Sequence, residues 1–155
     1  MARPKKGDKA PHFEGPNEKG ETVSLSDFKG KKLILFFYPK DDTPGCTAAA
    51  CSLRDDYESL REQGFELLGV SPDSPKKHSK FIDKYNFPFS LLADEEKNTL
   101  KAYGAWGKKK FMGREYDGVL RSTFIIDEKG EIAEVIDKVK TKTHAQQIKE
   151  LMELS

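Results

Sequence analysis

The chain has 155 residues, with 27 lysines and arginines against 26 aspartates and glutamates, and a formal net charge of +1. This length suits one domain with a substantial core over residues 1–155, and the balanced charge gives no electrostatic reason to bind nucleic acid or an anionic membrane. No stretch approaches the ~18 apolar residues of a membrane span, and the basic start lacks the apolar segment of a secretory signal, so we expect a cytoplasmic protein.

The predicted elements begin with a hairpin and a buried strand. Phe13 and Val23 flank a Gly-Pro-Asn-Glu-Lys-Gly segment, which is typical of a small hairpin. Residues 33–38 form a run of six apolar residues with turn signals at both ends, which predicts a buried strand. Apolar residues spaced by three and four then predict a helix over 44–62, ended by Gly64.

The rest of the chain continues to alternate strands and helices. Residues 104–120 show no such pattern, so they predict a loop that is long enough to suggest a function. In this loop Trp106, Phe111 and Met112 are either packing residues or an apolar wall beside a functional site. The remaining predictions are strands at 65–70, 87–92, 122–126 and 131–136, and helices at 75–85, from Asp94 to about 103, and at 143–154.

This order of elements predicts the fold class. Parallel βα units followed by an antiparallel strand pair indicate an α/β fold, with a central mixed sheet covered by helices on both faces and an N-terminal hairpin. The arrangement matches a thioredoxin-like fold.

Both cysteines of the chain lie in one stretch, residues 39–51, directly after the predicted buried strand. Thr43 can cap a helix, and Pro44 suits the first helical position, where its missing N–H is no loss. Cys46 then falls in the first turn, where unpaired backbone N–H groups and the helix dipole favour negative charge. We therefore expect Cys46 to exist partly as the thiolate, which is the reactive form of the side chain.

Cys51 follows Cys46 by five positions in the same predicted helix. Five residues correspond to ~7.5 Å of rise and about 140° of rotation, which places the two Cα atoms beyond the roughly 7 Å limit for a disulfide. The two sulfurs can bond only if the first turn or two of the helix unwinds. Such a pair suits a reaction cycle better than a static crosslink, and cysteines in the reducing cytosol are more often redox-active or metal-bound than structural.

These residues resemble the peroxiredoxins. The family pattern Pro-x-x-x-Thr-x-x-Cys occurs as Pro39, Thr43 and Cys46. The longer segment Phe-Tyr-Pro-Lys-Asp-Asp-Thr-Pro-Gly-Cys-Thr, residues 37–47, is characteristic of the type Q group, also called bacterioferritin-comigratory proteins. Further similarities lie at residues 7–11, 68–71 and 118–127, so the resemblance covers nearly the whole chain.

The resemblance implies a thiol-dependent peroxidase for hydrogen peroxide and organic hydroperoxides that needs no metal or organic cofactor. Cys46 would be the peroxidatic cysteine that becomes a sulfenic acid, and Cys51 the resolving cysteine that condenses with it to a disulfide. Thioredoxin or a similar dithiol would reduce that disulfide. Thr43 would hold the peroxide and the thiolate, Pro39 would shield the sulfur, and Arg121 would be the active-site arginine. Type Q relatives are often monomers, so we expect a monomer.

One position departs from the family pattern. Many relatives have Glu or Gln where this chain has Ala49, and that side chain helps to hold the arginine network. Alanine cannot make those hydrogen bonds, so Arg121 lacks this support, whereas the basic chemistry does not depend on it.

Two other functions are compatible with the predicted fold. A thiol–disulfide oxidoreductase would use Cys-x-x-Cys, and the wider spacing of the two cysteines argues against it. A non-enzymatic binding or chaperone module has no support in the sequence. The three histidines, His12, His78 and His144, lie near segment ends, where we expect solvated side chains, and they show no zinc-like spacing with the cysteines.

Overall fold

The computed structural model describes residues 3–153 of the chain, apart from the side chain of Phe111. Within this range the chain forms nine strands and five α-helices, with two short 3-10 turns. In chain order these are β1 (Glu14–Pro16), β2 (Thr22–Ser24), β3 (Lys32–Phe37), α1 (Pro44–Asp55), α2 (Tyr57–Glu62), β4 (Phe65–Ser71), α3 (Pro75–Tyr85), β5 (Ser90–Ala93), α4 (Asn98–Ala102), β6 (Trp106–Phe111), β7 (Arg114–Val119), β8 (Ser122–Ile126), β9 (Ile132–Ile136) and α5 (His144–Leu151).

A five-stranded mixed sheet forms the centre of the structure, in the spatial order β5-β4-β3-β8-β9. Strand β3 pairs in parallel with β4, and β4 in parallel with β5, whereas β8 runs antiparallel to both β3 and β9. The N-terminal strands β1 and β2 form a separate antiparallel hairpin. The predicted α/β fold with a central mixed sheet and an N-terminal hairpin is therefore confirmed.

Strand β3 is the central strand of the sheet, and both of its faces are covered. Ile34 and Phe36 belong to a core cluster that includes residues of α1, α3 and α5. Leu33, Leu35 and Phe37 belong to a second cluster on the opposite face, with residues of α4. A strand buried on both faces needs a continuous apolar run, which is the pattern that predicted it. The segment that leaves β3 therefore starts from the middle of the sheet.

The predicted helix over 44–62 is divided into α1 and α2. The two helices meet at Asp56, whose carboxylate pairs with Lys149 of α5 at 2.8 Å. Periodicity predicted one helix because the buried face continues across the break, with Leu53 before it and Leu60 after it. An aspartate favours helix ends over helix interiors, and its partner on a distant helix reinforces the break.

The predicted loop over 104–120 is a β-hairpin formed by β6 and β7, so this prediction was wrong. The two strands are joined at Met112 and Gly113, which both have positive φ angles of 51° and 79°, as a tight hairpin turn requires. Residues 114–117 are exposed, so the hairpin lacks the apolar alternation of a core strand. Trp106 packs against the second core cluster, which includes Leu33, Leu35 and Phe37. Met112 is 88% exposed, and the side chain of Phe111 lies outside the described part of the chain.

Other predicted boundaries shift by a few residues. Strand β5 begins at Ser90, and α4 begins at Asn98 with Asp94 accepting hydrogen bonds from two backbone N–H groups of its first turn. In the part of the chain that the structure describes, no helix has the length and apolar character needed to cross a membrane.

Candidate active site

The first turn of α1 places Cys46 against the centre of the sheet. The chain leaves β3, turns through residues 39–43, and enters α1 with Pro44 at the start of the helix. Thr43 occupies the N-cap position with extended backbone angles, as predicted. Cys46 is 3% exposed, so its thiol lies at a helix N-terminus and is shielded from bulk water.

Arg121 provides a positive charge directly beside this thiol. Its Nη2 donates to Cys46 Sγ at 3.2 Å. Arg121 precedes the first residue of β8, and the antiparallel pairing of β8 with β3 aligns Ser122 with Phe37. The end of β3 that leads to Cys46 and the start of β8 therefore lie at the same edge of the sheet. The guanidinium can therefore stabilise negative charge on the sulfur.

Gly45 permits this approach of the guanidinium to the helix. A Cβ atom at this position would lie 3.3 Å from Arg121 Nη2 and 3.9 Å from Thr141 Cγ2. Ala49 makes no side-chain hydrogen bond, and Arg121 nevertheless reaches Cys46. The placement of the arginine in this chain thus does not require a polar side chain at position 49.

Two backbone donors remain open at the same end of α1. Thr47 N–H donates to the carbonyl of Thr43 at 2.8 Å, which is the first hydrogen bond of the helix. The N–H groups of Gly45 and Cys46 donate no hydrogen bond to any acceptor among residues 3–153. Together with Arg121, these groups can stabilise negative charge that develops on an oxygen bound next to the sulfur.

The Thr43 hydroxyl is oriented away from the helix. It donates to the carbonyl of Lys40 at 2.9 Å and makes no capping hydrogen bond, so the predicted side-chain cap is wrong although the position is right. Because the hydroxyl donates its only proton to the Lys40 carbonyl, its oxygen can only accept a hydrogen bond from a further group. Pro39, at the start of the same loop, is half-buried.

Cys51 lies further along the same helix, in different surroundings. It is half-buried, and both cysteines are free thiols. Burial raises the pKa of the Cys51 thiol, Arg54 lowers it, and Asp55 raises it further. Helix α1 is continuous through both cysteines, and regular helix geometry separates their Cα atoms by about 8.7 Å, beyond disulfide range.

Two of the three histidines are buried, so the prediction of solvated side chains holds only for His12. His78 and His144 are both 0% exposed. His144 lines a small cavity together with Cys46 and Arg121. The local sequence does not predict that either histidine is buried, because hydrogen-bond partners that explain the burial lie elsewhere in the chain.

The surroundings of His144 determine its charge and its tautomer. Burial lowers its pKa to about 4, although the hydrogen bond that the ring donates to Gln147 opposes the shift; the charge of Arg121 lowers the pKa further. The ring is therefore neutral at pH 7. Its Nδ1 donates to Gln147 Oε1 at 3.0 Å, and its Nε2 accepts from the Thr123 hydroxyl at 2.8 Å. His144 therefore adds no positive charge to the cavity beside Arg121.

Fold and site together define a class of protein. A buried cysteine at a helix N-terminus, beside an arginine and at the strand ends of a mixed α/β sheet, is an arrangement for nucleophilic thiol chemistry. Residues 6–135 match the AhpC/TSA family, and the chain belongs to this family, among its peroxiredoxins of the Bcp and PrxQ kind.

Individual relatives and solved structures agree with this assignment. The chain is 49% identical over 150 residues to Peroxiredoxin Bcp of Bacillus subtilis, covering 96% of each chain. It is 46% identical over 140 residues to Peroxiredoxin Bcp of Escherichia coli, covering 90% of each chain. A cysteine-to-serine variant of PrxQ from Xylella fastidiosa superposes with a TM-score of 0.91 at 29% identity, covering 99% of this chain and 98% of that chain.

A bacterioferritin comigratory protein from Xanthomonas campestris superposes with a TM-score of 0.85 at 30% identity, covering 91% of this chain and 90% of that chain. The thioredoxin-like fold and the type Q resemblance are thus confirmed. Peroxiredoxins are thiol peroxidases, so the protein is an oxidoreductase.

Proposed function

We propose that this protein reduces hydrogen peroxide and organic hydroperoxides with Cys46 as the nucleophile. The observation that carries the proposal is the 3.2 Å contact between Arg121 Nη2 and Cys46 Sγ at the start of α1. The Cys46 thiolate attacks the terminal oxygen of the hydroperoxide. An S–O bond forms, the O–O bond breaks, and the leaving oxygen takes up a proton as water or an alcohol.

The surrounding groups lower the barrier of this step. Negative charge grows on the leaving oxygen, and the Arg121 guanidinium and the free N–H groups of Gly45 and Cys46 stabilise it. The Thr43 oxygen accepts a hydrogen bond from the peroxide, because its own proton is used on Lys40. Pro39 shields the sulfur from water. Organic hydroperoxides are included because the Xanthomonas campestris relative is described by its alkyl peroxide reduction activity.

Cys51 completes the cycle as the resolving cysteine. Its thiolate attacks the sulfur of the Cys46 sulfenic acid, an S–S bond forms, the S–O bond breaks, and the leaving hydroxide takes up a proton to become water. Because α1 holds the two cysteines apart, its first turns must unwind for this step. Burial raises the pKa of Cys51, so unwinding into water also makes its thiolate easier to form. Thioredoxin or a similar dithiol then reduces the disulfide by exchange.

The resemblance to type Q peroxiredoxins also supports a setting for this activity. We infer a monomer that serves antioxidant defence in the cytoplasm as one domain and needs no metal or organic cofactor. Size-exclusion chromatography with light scattering on the reduced and oxidised protein tests the first part, with a mass of 17.5 kDa expected for a monomer.

The activity is tested by coupling it to NADPH oxidation through thioredoxin reductase and thioredoxin. We expect NADPH consumption that requires both the protein and hydrogen peroxide or an alkyl hydroperoxide. Reduction of insulin disulfides without peroxide turnover would instead indicate a thiol–disulfide oxidoreductase. Protection of a denaturing client protein by a Cys46→Ser variant, measured by light scattering, would indicate a chaperone.

The motion of α1 is tested separately by amide hydrogen exchange. Within residues 46–54, the amides from Thr47 onward should be protected in the reduced protein and exchange faster in the disulfide form, because the first turns are lost. The cost of opening is modest, since three consecutive alanines bury little apolar area at roughly 25 cal/mol per Å². Equal protection in both forms, with the Cys46–Cys51 bond confirmed by mass spectrometry, would contradict the unwinding step.

A further inference from the structure

A buried hydrogen-bond network lies behind the loop 39–43 that leads from β3 to α1. Asp41 is 9% exposed; its carboxylate accepts the Tyr38 hydroxyl at 2.5 Å and contacts His78 Nδ1 at 2.6 Å. The other ring nitrogen of His78 lies 3.0 Å from the carbonyl oxygen of Leu92. Because His78 lies on α3 and Leu92 on β5, the network ties the loop to two elements outside the site described above.

Counting protons shows that this network is fully satisfied. The Leu92 carbonyl can only accept, so His78 Nε2 carries a proton. Burial, followed by the Asp41 carboxylate, raises the pKa of Tyr38 well above its usual value, so its hydroxyl stays protonated and donates. A further proton must lie between His78 Nδ1 and Asp41 Oδ2, because two acceptors at 2.6 Å would repel each other. Whichever atom holds it, the His78–Asp41 pair has no net charge.

The peptide group between Lys40 and Asp41 connects this network to the site. Its N–H donates to Asp73 Oδ2 at 2.8 Å, and its carbonyl accepts the Thr43 hydroxyl at 2.9 Å. Asp73 is itself held by the Ser71 hydroxyl at 2.7 Å. The orientation of this one peptide plane therefore determines where the Thr43 proton points, and hence which side of the Thr43 oxygen remains free.

We propose that His78 is a positioning residue for peroxide reduction. By holding the Asp41 carboxylate, it fixes the Lys40–Asp41 peptide and through it the Thr43 hydroxyl, without touching the peroxide or Cys46. The inference rests on the function proposed above for Cys46 and Thr43. It explains why a histidine is fully buried on α3, a helix that contributes no group to the chemistry.

A metal site is a different interpretation of the same residues. Asp41, Asp73 and His78 each offer a ligand atom, and these atoms lie within 4.8 Å of one another. The 2.6 Å contact between His78 Nδ1 and Asp41 Oδ2 already uses the atoms that a cation would take. The hydrogen bonds among them therefore favour a structural network.

The test measures peroxide attack by stopped-flow mixing in a Cys51→Ser background, where the reaction stops at the sulfenic acid. His78→Leu should slow the attack about ten- to a hundredfold, as expected for a displaced polar group. Asp41→Asn should keep most of the rate, because its amide can donate to Nδ1 of a neutral His78 while its oxygen still accepts from Tyr38. His12→Leu, at an exposed histidine, is the matched control and should leave the rate unchanged.

Alkylation of Cys46 by iodoacetamide separates positioning from general loosening. This reaction needs the thiolate but not the Thr43 hydroxyl, so His78→Leu should leave its rate close to that of the parent. A loosened fold would raise it, because Cys46 is only 3% exposed. In addition, Thr43→Val combined with His78→Leu should be no slower than Thr43→Val alone, because the two residues act as one unit.

Several outcomes overturn the proposal. A folded His78→Leu variant with parental attack, effects that multiply with Thr43→Val, faster alkylation, or an Asp41→Asn variant as slow as His78→Leu would each do so. If His78→Leu does not fold, Tyr38→Phe removes one donor from the same network, and an unchanged rate there would overturn it. Absence of attack in the Cys51→Ser parent would instead contradict the proposed function itself. A Thr43→Val variant with parental rate would contradict the role of Thr43, and with it the role of His78, but not the proposed function.

Discussion

Cys46 and Cys51 lie about one and a half turns apart on one helix, but their surroundings differ. Cys46 is 3% exposed and receives a hydrogen bond from Arg121 at 3.2 Å. Cys51 is half-buried, and burial raises its pKa. The same side chain on the same helix therefore has a different electrostatic environment, which depends on its distance from the helix end and on the charged groups beside it.

The difference also indicates which step of the proposed cycle the reduced structure suits. In the proposed mechanism, attack on a peroxide uses the Arg121 contact and the open N–H groups of Gly45 and Cys46, which lie at the first turn of α1. Disulfide formation with Cys51 requires that turn to open. The two halves of the proposed cycle thus need different conformations of one helix.

The largest effect is expected from replacing each of the two cysteines by serine in separate variants. Cys46→Ser should lose peroxide reduction entirely in single-turnover assays, because a serine hydroxyl is not ionised near neutral pH. Cys51→Ser should consume one equivalent of peroxide and stop at a sulfenic acid, which dimedone traps and excess peroxide overoxidises. Thioredoxin-coupled activity that survives in Cys46→Ser would refute the assignment of the nucleophile.

Removal of the cation should have the next largest effect. Arg121→Ala should slow peroxide attack about a hundred- to a thousandfold, which is typical for loss of a donor to developing negative charge. The thiolate absorbance of Cys46 at pH 7, measured in a Cys51→Ser background, should fall as well. Arg121→Lys keeps the charge but loses the planar fork, so it should recover part of the rate. Unchanged absorbance and rate in Arg121→Ala would place the arginine outside the site.

The buried histidine beside Cys46 predicts a pH dependence of stability. The pKa of His144 is about 4 in the folded protein against an ordinary value of 6.5, so the unfolded state binds the extra proton between these values. The resulting stability is complete above pH 6.5 and is lost as the pH falls towards 4. The loss amounts to about 3 kcal/mol.

Urea unfolding at pH 7 and pH 4.5 measures this loss. His144→Gln should reduce the difference between the two pH values, whereas His12→Gln, at an exposed histidine, should retain it. An equal pH dependence in all three proteins would show that His144 is not held neutral by the fold.

The smallest effect is expected at the contact between Gly45 and the guanidinium. Gly45→Ala places a Cβ 3.3 Å from Arg121 Nη2 and should slow peroxide attack about tenfold by displacing the arginine. Alanine also stabilises a helix by about 1 kcal/mol over glycine, so disulfide formation should be slower too. Ala48→Gly is the matched control; it weakens the same turn away from Arg121, and should speed disulfide formation while leaving the attack unchanged.

The local sequence determined the parts of the site that lie on one segment. The apolar run of β3, the Thr-Pro helix start and the spacing of the cysteines obey rules that involve only near neighbours, and these predict Cys46 in the first turn and Cys51 beyond bonding distance. The alternation of strands and helices likewise predicted the α/β fold, because each element has a characteristic period. Exposed strands escape such rules, which is why the β6–β7 hairpin was missed.

Only the tertiary structure decided which distant groups meet at the sulfur. Arg121 is 75 residues from Cys46 in the chain. The family resemblance implied its role, but no local pattern places it beside the sulfur, and it reaches Cys46 only because β8 pairs with β3. His78 and His144 were predicted to be solvated, yet Asp41 and Leu92 enclose the first and Thr123 and Gln147 the second. A polar side chain is buried only where partners from other elements satisfy its hydrogen bonds, and no local pattern records those partners.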